Sequence, residues 1–250
     1  MVFDAAAKSR GVSFNDAMLT GPDLVNLLTS VLFKFREHKI GFCGDIREMF
    51  HLLFIREEDL PAQRLLWHGM DRNRMPDVYE MTIMTFALVC APSGAQEIKN
   101  VNAKESKQEF PEAAKAIIER HYVDDYLDGA ATEELAIKAV QDVTEVHRHG
   151  GFQICNWISS SRAVMQSIPP DLRAKEAKDM SHLSQLPSER VLVLHWNTIE
   201  DIRKGFAASS SCCLLLPPAC GRSQQNRLPA ALTFRTPSAS SIPAKMALFY

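Results

Sequence analysis

Residues 121–130, HYVDDYLDGA, set two aspartates side by side inside an apolar, β-prone run and add a third acid at Asp128. In a regular strand neighbouring side chains point to opposite faces, so Asp124 and Asp125 can serve one site only if the backbone turns between or just after them. The stretch therefore reads as a hairpin. Tyr122 and Val123 lead in, Tyr126 and Leu127 lead out, and Asp128-Gly129 supplies turn chemistry at its far end. Two unit charges about 4 Å apart at an effective dielectric of about 20 repel by about 4 kcal/mol. Something should neutralise them, and a divalent cation is the natural candidate.

The segments around the hairpin predict an α+β organisation. KIGFCGDI (39–46) has period two, placing Ile40, Phe42, Gly44 and Ile46 on one face and Gly41, Cys43 and Asp45 on the other. Asp45 thus ends a strand whose own face carries small residues, which leaves room in front of its carboxylate. LTGPDLVNLLTSVLFKFREH (19–38) has helical apolar spacing, and DVYEMTIMTFALV (77–89) reads as a strand. SGAQEIKNVNAKESKQEFPEAAKAIIER reads as helix broken at Pro111. TEELAIKAVQDVTEVHRHGG (132–151) is the clearest helix. Thr132 is its N-cap, Glu133 and Glu134 occupy the first turn, His147, Arg148 and His149 the last, and Gly150-Gly151 the stop. FQICNWI begins a further strand, and no internal repeat is visible.

Composition excludes several classes. A chain of 250 residues, 46% hydrophobic and 23% charged, is ordinary globular material for one large domain or two small ones. Its six cysteines, at 43, 90, 155, 212, 213 and 220, show neither C-x-x-C nor zinc spacing and read as core thiols. No apolar run approaches the roughly 18 residues of a membrane span, and MVFDAAAKSR lacks the apolar stretch of a secretory signal. The expectation is an intracellular, non-secreted protein without a membrane partner. All 30 acids and all but four of the 28 basic residues lie in residues 1–204, giving that part a net charge of −6. That is no electrostatic footprint for strong nucleic-acid binding, so any such function must rest on local geometry and metal ions.

Asp45 at a strand end and Asp124-Asp125 on a hairpin are a layout that could supply two-metal phosphoryl transfer, because ions about 3.5–4 Å apart are bridged from more than one direction; the alternative is that each aspartate only caps or turns a loop. With these residues in place, the chain resembles the reverse transcriptase region of BEL/Pao-type LTR retrotransposon polyproteins. The similarity runs from VFDAAAKSRGVSFNDAMLTGPDL through GFCGDIREMF, TFALVCAPSGAQ, RHYVDDYLDG and GGFQICNWIS to RVLVLHWN, about residues 2–204 in unbroken order. The resemblance implies a right-hand polymerase palm. Asp45 and Asp124 would be the principal ligands of two Mg2+ ions, with Mn2+ as a substitute, and Asp125 the accompanying acid. Phe50 matches the aromatic that crowds the nucleotide sugar, and Phe86 and Ala87 match the segment beside the incoming nucleotide. Lys8 is either a triphosphate contact or a solvated surface lysine. The implied partners are an RNA or DNA template, a DNA primer and deoxynucleoside triphosphates, in a cytoplasmic retroelement particle.

On this reading residues 1–38 are partial fingers, 39–204 the palm and the start of its connection to a thumb, and 205–250 a low-complexity tail that is disordered or the product of a shifted frame, with the thumb largely missing. Three residues depart from the family pattern: Ala87 and Val193 stand where glycine is usual, and Asn156 where a lysine suited to proton donation is common. The function expected is RNA-directed DNA polymerisation. The alternative is a non-catalytic retroelement remnant or a metal-binding α+β interaction module.

Overall fold

The alternation read in KIGFCGDI is the axis of the fold. The computed structural model describes residues 4–177, together with the backbones of three short strands between residues 189 and 205. In chain order the elements are β1 (Lys8–Ser9), β2 (Val12–Ser13), α1 (Leu28–Lys34), β3 (Ile40–Ile46), β4 (Arg64–Trp67), β5 (Asp77–Glu80), α2 (Ala91–Glu105), α3 (Pro111–Glu119), β6 (His121–Tyr122), β7 (Asp125–Ala130), α4 (Glu133–His149), β8 (Ile154–Ser159), α5 (Arg162–Ser167), β9 (Glu189–Val191), β10 (Leu194–Asn197) and β11 (Ile202–Gly205). The protein is mixed α+β, and its central sheet is antiparallel with strand order β6-β7-β3-β8.

The two faces of β3 belong to different cores. Ile40 and Phe42 join Tyr126 and Ala130 of β7 and Trp157 of β8 beneath Ala113, Ala114 and Ile117 of α3 and the Ala136, Val140, Val143 and Val146 stripe of α4. Cys43, Leu127 and Ile158 face the other way, against Val31 of α1 and Phe35 just beyond its end. A third cluster, around Ile46, Met49, Leu53, Met84, Ala95 and Ile98, closes the end of the sheet where the acids lie. Gly44 is small for a packing reason: a Cβ there would come within 2.9 Å of Trp157 Cδ2.

Helix α4 starts and stops where its sequence places it. The Thr132 hydroxyl accepts from the Leu135 amide at 3.3 Å, and Gly151 takes φ +74°. Pro111 sits in the first turn of α3, where its missing N–H costs nothing.

Three expectations need correction. The helix predicted for 19–38 spans only Leu28–Lys34. The preceding residues run without regular structure because Gly21 takes φ +79°, the Pro22 carbonyl accepts from Ser93 Oγ, and Asn26 Nδ2 donates to the carbonyls of Ile118 and His121 at 2.8 and 2.9 Å. The strand predicted for 77–89 ends at Glu80. Asn15 reaches across to bond the Ala87 carbonyl and the Val89 amide, holding a turn at Phe86–Ala87 instead. Asp128-Gly129 is not a turn but part of β7. Val193, the tail from residue 206 onward, and Cys212, Cys213 and Cys220 lie outside the described residues. Of the other cysteines, Cys43, Cys90 and Cys155 are free thiols, the first and last buried.

Candidate functional site

The YVDD hairpin is built on a strained backbone. His121 pairs with Tyr126 and Tyr122 with Asp125, so Val123 and Asp124 form a two-residue turn, with Val123 at φ +57°. A positive φ at the first turn residue matches the twist of the flanking strands but is costly for a β-branched side chain. Two long-range bonds hold it there: buried Gln96 of α2 donates to the Val123 carbonyl at 2.9 Å, and the Ile46 amide donates to the Asp124 carbonyl at 3.0 Å. The second bond ties the turn directly to the end of β3.

Register then assembles the acids. Asp45 of β3 is the cross-strand partner of Asp125 of β7, so the two carboxylates project from one face, with Cβ atoms about 4.5–5.5 Å apart. It is the face of Gly41 and Cys43, as the alternation predicts. Asp124 joins them from the turn. All three are partly buried. Burial, then the charge of Asp45, raises the Asp124 carboxyl above its ordinary value; burial, then Asp124 and Asp45, pushes Asp125 up to about 7. As a donor set, three hard carboxylate oxygens whose charges repel one another suit a hard divalent cation. Among the described residues, however, no group of three or more His, Cys, Asp or Glu side chains is arranged to hold a metal ion.

Asp128, the third acid of the opening stretch, is not part of this site. It lies on the opposite face, buried, where Arg120 donates to it at 2.6 Å, the Tyr126 hydroxyl at 2.7 Å and the Gly129 amide at 2.6 Å.

The aromatic candidates come together with each other. Phe50 rides on a 3-10 turn, Met49–Leu52, shortly after β3, and its ring meets that of Phe86 edge-on with centroids 5.2 Å apart; His51 also meets Phe86, at 5.0 Å. Phe50 is half-buried against the Ile46 cluster, and Phe86 is exposed. Ala87 takes φ +69°, the conformation for which glycine is suited. Lys8 is exposed in the β1–β2 hairpin. Among the described residues five non-glycine positions have positive φ, and four of them, Glu48, Ala87, Val123 and Asn156, are candidate residues or lie near them in sequence or in contact. Such strain costs about 1–3 kcal/mol at each position and persists where surrounding structure enforces it, commonly at functional sites.

Sequence reasoning missed what supports these groups. Gln96 and Asn15 act through contacts distant in sequence. Beneath the hairpin, His121 and His147 bring their Nε2 atoms within 3.1 Å, both buried, beside Lys99, whose amine donates to the Ile117 carbonyl and which burial lowers to about 7. Asn156, read only as a departure, is a bulge residue at φ +50° whose Nδ2 donates to Asp45 Oδ1 at 2.9 Å. An asparagine between strand-forming residues was the available signal, since Asn is poor in strands and tolerant of the left-handed region.

Among the described residues no helix is long and apolar enough to cross a membrane. No protein-family model matches the chain, and a search of curated proteins finds no match.

Proposed function

We propose that this chain is the palm-bearing part of an RNA-directed DNA polymerase of the BEL/Pao retrotransposon type. The observation that carries the reading is the strained Val123–Asp124 turn bonded to the end of β3, which sets Asp124 and Asp125 beside Asp45 on one sheet face, where their charges repel. Asp45 and Asp124 are the residues that would hold two Mg2+ ions, with Asp125 adding charge. Bound there, the ions would activate a primer 3′-hydroxyl and stabilise charge on the triphosphate. The chain's own part is to hold and orient. The hairpin fixes Asp124, while the edge-on Phe50–Phe86 pair offers a rigid apolar wall for a nucleotide sugar.

The test is Mg2+-dependent extension of a DNA primer on an RNA template by the full chain. Asp124→Asn should reduce it at least a hundredfold; extension that survives the substitution would overturn the reading. A second reading, a non-catalytic remnant or metal-binding interaction module, is favoured by Ala87, which is strained where glycine would be relaxed. Extension absent from the chain but recovered in Ala87→Gly would mark decay of an active ancestor.

A further inference from the structure

Gly44 and Trp157 explain why β8 is irregular, and the irregularity has a chemical result. Cys43 pairs with Ile158 and Asp45 with Cys155, so two residues of β8, Asn156 and Trp157, stand opposite the single residue Gly44. That is a bulge. Trp157 turns inward, fully buried over the hydrogen of Gly44, and Asn156 absorbs the reversal with φ +50°, a conformation asparagine tolerates better than most residues. Its side chain is thereby aimed along the solvent side of the sheet to Asp45, where Nδ2 donates to Oδ1 at 2.9 Å. The Cys155 thiol approaches the same oxygen at 3.6 Å. One oxygen of Asp45 is therefore occupied from the β8 side, while Asp125 stands on the β7 side.

Resting on the polymerase reading, we propose that Asn156 is a positioning residue for Asp45. The bulge delivers an amide that fixes the Asp45 carboxylate in the orientation from which it takes a divalent cation. The amide carries no charge, so it orients the carboxylate without competing with the ion for the site, as a lysine in that place would. Outer partners of a metal-bound carboxylate typically matter about tenfold or more for metal affinity.

Glycine is the discriminating substitution, because it accepts φ +50° at no steric cost and removes only the amide. The probe is Mn2+ alone, titrated into the full chain and followed by electron paramagnetic resonance. Asn156→Gly should weaken Mn2+ binding about tenfold while the melting temperature without metal stays level or rises. With Asp45→Asn already present, Asn156→Gly should change nothing further. Unchanged Mn2+ affinity in Asn156→Gly would overturn the inference, making Asn156 a bulge residue only. An equal loss in the Asp45→Asn background would also overturn it, since the effect would then not pass through Asp45. Failure of the polymerase reading has a separate signature: Mn2+ binding by the unsubstituted chain that is absent or indifferent to Asp124→Asn.

Discussion

Asp125 and Asp128 stand three residues apart on one strand, yet the protein treats them oppositely. Asp128 faces the α3–α4 core, and although burial raises its carboxyl, it has Arg120, the Tyr126 hydroxyl and the Gly129 amide as partners. Asp125 faces the other way, less buried, with Asp124 and Asp45 as the charges that act on it. A structural acid is neutralised from within the fold. The other is left beside like charges, and burial together with those charges raises its carboxyl to about 7.

The sharpest way to break this contrast is to remove the internal cation. Arg120→Met should lower stability by about 3 kcal/mol, because a buried carboxylate loses its partner; urea denaturation at neutral pH reads it, and a change below about 1 kcal/mol would mean that Asp128 is not held by the pair. The opposite sign is expected across the sheet. The folded carboxyl of Asp125, raised to about 7, lies above its unfolded value near 3.8, so the protein loses stability as pH rises from about 4 to about 7 and stays lower above that. Asp125→Asn should therefore stabilise by about 2 kcal/mol at pH 8 and by nearly nothing at pH 4 in thermal melts without divalent cations, a gain that saturating Mn2+ should narrow. The smallest effect concerns the outer contact: Glu37 lies 3.6 Å from Arg120 and is half exposed, so Glu37→Gln should cost less than about 0.5 kcal/mol. A larger loss would spread the neutralisation of Asp128 over a network.

Local signals carried much of this architecture. The period-two text of residues 39–46, the Thr132 cap and the Gly150-Gly151 stop each depend on neighbours in sequence, and each holds in the fold. The faces of β3 were readable too, with Asp45 on the side of Gly41 and Cys43. What eluded the sequence depends on distant partners. Asn26 and Ser93 pull residues 19–27 out of the helix that their spacing suggests, and Asn15 bends 86–87 out of a strand. Asp128 looked like turn chemistry because Asp-Gly usually is; Arg120 and the closeness to Gly129 of the segment between α1 and β3, where an added Cβ would meet His38 at 3.4 Å, make it strand. The contact between Asn156 and Asp45 needed the bulge, and the bulge needed Trp157 over Gly44.

That last packing arrangement also gives the molecule an optical label. Trp157 is wholly buried, its ring 5.9 Å from that of Tyr126, and it directly follows the residue bonded to Asp45, while Trp67 is 44% exposed on the β4–β5 hairpin. Indole emission shifts to the blue in apolar surroundings, so a chain carrying Trp67→Phe and Trp196→Phe would fluoresce from one lamp set under the carboxylates. Its colour and its resistance to iodide would register whether the bulge stays closed while a cation arrives.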